Sequence, residues 1–130
     1  PAARRASARG LALGGLAERA DTRAAELNGA GQKRVELARE LATEPRMLLL
    51  DEVAGGLNPA EAIALAEILR GIHAAGVTLI IVEHVLEVVM RLAQRVLVLN
   101  FGQMIAEGAP QDIVRNPAVI EAYLGRKHRA

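Results

Sequence analysis

Three polar clusters in this chain have the residue types and spacing for phosphate chemistry. Asp51 and Glu52 follow the apolar run Met47-Leu-Leu-Leu. An acid at the end of a buried strand can hold Mg2+ through water, and a neighbouring carboxylate can orient and activate an attacking water. His84 closes a second apolar run, Thr78-Leu-Ile-Ile-Val-Glu, where an imidazole can hydrogen-bond a phosphate oxygen or that water. Asn28-Gly-Ala-Gly-Gln opens a helical pattern, so its backbone amides and helix N-terminus offer a seat to an anion such as a γ-phosphate. Each cluster also has a plainer reading: two acids starting a surface loop, a structural histidine, a glycine-rich turn that binds nothing. His73 within a helix and His128 near the end keep the structural reading, and no histidine spacing suits a metal site.

The elements that must position these clusters follow from periodicity. The N-terminal stretch from Pro1 to Leu13 is basic, then apolar, but too short and Gly-interrupted for a signal peptide, and reads as an amphipathic helix. Leu11, Leu13, Leu16, Ala17 and Ala20 extend a loose helical pattern towards Asp21. Leu27-Asn-Gly-Ala-Gly-Gln, with Asn28 able to cap, runs into a helix over 33–41, where Val35, Ala38 and Leu41 share a face. Pro45 stops it, and Met47 to Leu50 reads as a strand buried on both faces. Pro59 suits a first helical position, and Ala62, Leu65, Leu69 and Ile72 mark a helix ending near Gly76. A second strand spans 77–82, a helix carries Val85, Val88, Val89 and Leu92, and a third strand spans 96–99. Asn100-Phe-Gly-Gln is then a hairpin turn, Met104-Ile-Ala-Glu its return strand, and two short helices cover 111–115 and 117–124. Alternating helices and strands predict a parallel sheet with right-handed crossovers, which gathers ligand chemistry at the carboxyl ends of the strands. Both Asp51-Glu52 and Glu83-His84 fall there.

Composition narrows the classes. With 130 residues, 52% hydrophobic and 24% charged, one small globular unit is expected. Sixteen basic against fifteen acidic residues leave a net charge of +1, and aromatics are 2% of the chain, which argues against a nucleic-acid surface. The absence of cysteine removes disulfides and thiolate sites and fits a cytoplasmic setting. No apolar run approaches the roughly 20 residues of a membrane-spanning helix.

Together these motifs resemble the ATP-binding subunit of ABC transporters. Leu27-Asn-Gly-Ala-Gly-Gln-Lys-Arg-Val-Glu-Leu-Ala-Arg is similar to the family's signature and its helix, Met47-Leu-Leu-Leu-Asp51 to Walker B, Glu52 to the catalytic glutamate, Gly55-Gly-Leu-Asn58 to the D-loop, and Val82-Glu-His84 to the switch histidine. Residues 56–61, 98–102 and 116–125 most resemble the branched-chain amino acid importers. The resemblance implies an α/β fold, a partial P-loop NTPase with a mainly parallel sheet flanked by helices, and ATP and Mg2+ as cofactors. It implies that Asp51 holds Mg2+ through water, Glu52 polarises the attacking water and His84 contacts the γ-phosphate. Asn28, Gly29, Ala30, Gly31, Gln32 and Asn58 are then nucleotide-binding, the signature acting across a dimer. Expected partners are a second ATP-binding subunit and membrane permease subunits, with the chain peripheral on the cytoplasmic face and no nucleic acid involved.

The departures are equally specific. No Gly-x-x-x-x-Gly-Lys-Ser/Thr occurs, so the phosphate-cradling loop (Walker A) and its lysine are missing, as is the Gln-bearing coupling loop. Asn28, Ala30 and Gly31 stand where Ser, Gly and Gln are usual, and Val53 replaces the usual Pro. The pattern therefore resembles the C-terminal half of the domain without its first strands, an expectation that a start at Pro1 fits. It divides as 1–26, remnant of a helical subdomain; 27–109, signature helix and ATPase core; 110–125, C-terminal helices; 126–130, basic tail. Two functions follow: the C-terminal portion of an importer ATPase for branched-chain or other hydrophobic amino acids, or a non-enzymatic fragment needing a Walker A-bearing partner. Either way the chain alone is expected to be inactive, and a half-sheet should expose apolar surface. A DEAD-like helicase piece fits poorly, because Asp51-Glu-Val-Ala lacks the fourth residue and no basic track accompanies it; an ABC-type DNA repair protein shares the signature and Walker B and stays open as an alternative, its expected long coiled coil lying upstream of these motifs.

Overall fold

A computed structural model describes residues 1–125 as two compact units, the first from Pro1 to Val88 and the second from Val89 onward. The basic tail read at 126–130 lies outside the described residues.

The first unit opens with helix α1, Ala2–Leu13. It matches the amphipathic helix read over 1–13, while the looser pattern continuing towards Ala20 is cut off because Gly14 and Gly15, the latter at φ 72°, end the helix. Only short 3-10 turns, Ala17–Arg19 and Ala24–Glu26, follow. Helix α2, Gly29–Leu41, starts four residues before the apolar pattern, since Asn28 Oδ1 accepts the Gly31 amide at 2.8 Å and caps it. Buried Gly10 of α1 backs onto α2, where a Cβ would fall on the Ala38 carbonyl oxygen, so the two helices meet at backbone distance.

Strand β1, Met47–Asp51, pairs in parallel with β2, Thr78–Val82, with Leu49 opposite Ile80 and Asp51 opposite Val82. Helix α3, Pro59–Ala74, connects them. Its start is fixed by Pro59 and a reciprocal capping box in which Asn58 Oδ1 accepts the Glu61 amide and Glu61 Oε2 accepts the Asn58 amide. Its buried stripe is Ala62, Leu65, Ala66, Leu69 and Ile72, spaced as the periodicity requires. Gly76 at φ 101° then turns the chain into β2.

Burial on both faces, expected for Met47–Leu50, does not occur. Leu48 and Leu50 are buried, whereas Met47, Leu49, Ile80 and Val82 are exposed, Leu49 at 72%. Successive strand side chains point to opposite faces, so one face of this pair is packed and the other is an uncovered aliphatic row.

Helix α4, Leu86–Leu92, spans the division between the units. In the second unit β3, Val96–Asn100, does not extend the parallel pair as the alternation suggested. It pairs antiparallel with β4, Gln103–Gly108, the partner that a two-residue turn brings to it, with an irregularity at Val98/Leu99. Phe101 and Gly102, at φ 48° and 76°, make the turn, the positive angles that tight hairpins demand. Helix α5, Pro110–Ile113, starts one residue before and ends two residues before the helix expected at 111–115, whereas α6, Pro117–Val119, continues as a π-helical turn over Ile120–Leu124, so the helical stretch covers 117–124 as expected. Val98, Ile113 and Val119 form the small core of this unit.

Candidate functional site

At the carboxyl end of the parallel pair the ladder runs one residue beyond β1, the Glu52 amide donating to the Val82 carbonyl at 2.7 Å. Immediately afterwards the backbone reverses hand. Glu52 sits at φ 49°, a left-handed conformation that a side chain with a Cβ adopts at a cost. The turn closes with the Gly55 amide donating to the Glu52 carbonyl at 3.1 Å and Gly56 at φ 77°. Strain of this kind concentrates at sites where geometry is imposed from outside the residue.

That reversal carries the Glu52 carboxylate to His84, whose Nδ1 lies 3.4 Å from Glu52 Oε1 and 3.7 Å from Glu83 Oε1. The Glu52 and His84 side chains remain 58% and 63% exposed, so a substrate can reach both. Asp51, the last residue of β1, is exposed on the same sheet face as Leu49, and its side chain makes no hydrogen bond or ion pair among the described residues. No group of three or more His, Asp or Glu among the described residues could cage a metal. A single free carboxylate does suit Mg2+, which keeps several waters and takes one or two protein ligands beside substrate phosphates.

The second group of expected residues gathers elsewhere in the same unit. An open cleft of about 610 Å³ is lined by Asn28, Ala30, Gly31 and Asn58, with Arg19 and Arg34 among its other walls. Gly29, Gln32, Asp51, Glu52 and His84 do not line it. Both asparagines already use their side-chain oxygen to cap a helix, and Gln32 Nε2 donates back to the Leu27 carbonyl at 3.1 Å. A Cβ at Gly29 would meet nothing within 4 Å.

Glu83 was placed beside His84 by the sequence but given no role of its own. Its side chain is 0% exposed, yet its carboxylate is well satisfied: Oε2 accepts the Ala54 amide at 3.3 Å, and Oε1 accepts the amides of His84 at 3.1 Å and Val85 at 3.3 Å. Nothing in the local pattern announces that burial, since the Ala54 link spans 29 residues.

A parallel pair with acids and a histidine at its carboxyl ends, preceded by a capped glycine-rich helix, defines part of an ATP-binding cassette domain. Solved structures agree. The chain superposes on MJ1267, an ATP-binding cassette of an ABC transporter, in its ADP conformation with a TM-score of 0.83 at 32% identity, covering 93% of this chain and 49% of that one. It also superposes on a nucleotide-free ATP-binding cassette from an ABC transporter at TM-score 0.80 and 31% identity, over 92% and 49% of the two chains. The chain carries the C-terminal part of an ATP-binding cassette ATPase fold.

Within the family its likeness is to branched-chain amino acid systems. Residues 103–129 match the family described as "Branched-chain amino acid ATP-binding cassette transporter". The chain is 43% identical over 114 residues to the high-affinity branched-chain amino acid transport ATP-binding protein LivG of Salmonella typhimurium, covering 85% of this chain and 44% of LivG. It is 43% identical over 113 residues to BraF of Pseudomonas aeruginosa, of the same description and with the same shares. The chain thus spans a little under half the length of these relatives. Among the described residues no helix is long and apolar enough to cross a membrane.

Proposed function

We propose that this chain supplies the hydrolytic strand ends and the signature helix of an ATP-binding subunit that powers import of branched-chain or other hydrophobic amino acids. The observation that carries this reading is the approach of Glu52 to His84, 3.4 Å apart at the carboxyl ends of β1 and β2 with Asp51 adjoining. Asp51 would hold Mg2+ through water; the ion, when bound, neutralises phosphate charge. Glu52 accepts a hydrogen bond from the attacking water and turns its lone pair towards phosphorus. His84, with Nδ1 facing Glu52, aims its other ring nitrogen at a phosphate oxygen. The α2 start, Asn28 to Gln32, with Asn58, serves a different nucleotide, one held by a second ATP-binding subunit. The separation of the Asn28–Asn58 cleft from the strand ends supports that division. Permease subunits at the cytoplasmic face of the membrane complete the assembly.

A second reading concerns how the chain becomes active. The bare row Met47, Leu49, Ile80 and Val82 is what a parallel pair shows when one of its two covering layers is absent, and no phosphate-loop motif occurs in the sequence. Both features favour a non-enzymatic fragment that requires a phosphate-loop-bearing segment. The test is Mg-ATP turnover by the chain alone and mixed with the N-terminal half of LivG, with Glu52→Gln as control. Turnover in the mixture alone, abolished by Glu52→Gln, is the expected result. Silence of a folded mixture would refute the hydrolytic reading, and Glu52-dependent turnover by the chain alone would refute the need for a partner.

A further inference from the structure

The unit's buried carboxylate does a job that neither the motif pattern nor the fold assigns. Glu83 follows the last residue of β2, and its side chain turns inward while its two neighbours, Val82 and His84, stay exposed. Three backbone amides converge on it. One, from Ala54, belongs to the loop after β1; the other two, from His84 and Val85, belong to the loop after β2. The carboxylate therefore ties together the two loops that hold Glu52 and His84, and a buried acceptor set in amides is stiff because every alternative leaves donors unsatisfied. Ala54 is itself buried at 2% exposure, two residues from Glu52.

We propose that Glu83 is a positioning residue: its buried carboxylate clasps the Ala54 amide to the His84–Val85 turn and so sets the distance between Glu52 and His84. The proposal rests on the reading of Glu52 and His84 as the hydrolytic pair only for its consequence, not for the clasp.

The chemistry of the clasp makes the test selective. Oε1 serves two amides and Oε2 one. A glutamine can keep one oxygen, and two donors outbid one, so in Glu83→Gln the NH2 group faces the Ala54 N–H and two donors oppose each other. Hydrogen exchange of the full chain should then show the Ala54 amide released, its exchange about tenfold or more faster, while Leu69 in α3 keeps its protection. The imidazole nitrogen resonances of His84 should shift, since Nδ1 loses its fixed place beside Glu52. Glu83→Asp, which keeps the charge but is one methylene shorter, should release Ala54 as well and serves as the second variant if the glutamine variant does not fold. In the mixture with the LivG N-terminal half, Glu83→Gln should lower kcat about tenfold to a hundredfold with KM within twofold. Unchanged Ala54 exchange and unchanged His84 resonances in a folded variant would overturn the clasp. A released Ala54 with wild-type kcat would overturn its role in positioning, and wild-type silence in the mixture would count against the hydrolytic reading while leaving the exchange result to decide the clasp.

Discussion

Glycine and alanine at position 52 separate the cost of its backbone from the value of its side chain. Glu52 stands at φ 49°, where an L residue is roughly 1–2 kcal/mol worse off than in its preferred regions. Alanine retains that cost and glycine escapes it, while glycine's extra freedom in the unfolded chain returns about 0.5–1 kcal/mol. The difference leaves Glu52→Gly more stable than Glu52→Ala by about 0.5–1 kcal/mol. Both variants lose the contact with His84, an exposed pair of the kind worth about 0–1 kcal/mol, so that loss cancels in the comparison. Hydrogen exchange at Leu69, wholly buried in α3 of the same unit, reads the difference as roughly two- to fivefold greater protection in the glycine variant. Both variants should be inactive in the complemented turnover assay. Equal protection in the two, or greater protection with alanine, would refute the claim that the fold forces this residue into a strained conformation to aim its carboxylate.

The hairpin of the second unit offers a parallel case without a functional side chain. Phe101 occupies a positive-φ turn position at 94% exposure, so Phe101→Asn should stabilise the hairpin by about 1 kcal/mol, read as a rise in the unfolding midpoint followed by the fluorescence of Tyr123, whose hydroxyl donates to the Leu99 carbonyl. Leu49→Glu places a charge on the bare face of β1 without touching the packed one. It should leave the circular dichroism unchanged, reduce self-association in size-exclusion chromatography with light scattering, and abolish capture of the phosphate-loop half; persistent capture would show that the partner docks elsewhere. Gly10→Ala drives a methyl into the Ala38 carbonyl and should lower urea stability by about 1–3 kcal/mol, the range for overpacking a closed contact.

Much of this molecule is local and therefore legible. Asn28 and Asn58 announce helix starts because a short polar side chain satisfies an orphan amide three residues on. The stripe from Ala62 to Ile72 announces its buried face by period. The hydrolytic candidates are visible because short apolar runs end on acids and a histidine, and the family resemblance of those motifs agrees with the fold. The helical pattern running on to Ala20 overshot the glycines that end α1, and the helix expected at 111–115 stops two residues early, because apolar spacing marks helix starts better than ends.

What the sequence determined by itself is thus the order of the elements, their caps and turns, and which residues stand at the strand ends, since each depends on neighbours within a few positions. The tertiary structure alone decided which face of β1 is bare and that Glu52 is turned left-handed towards His84. It alone decided that Glu83 is buried under an amide from 29 residues earlier. Those outcomes are set by pairings between distant segments, and a carboxylate in sequence looks the same whether water or three backbone amides will surround it.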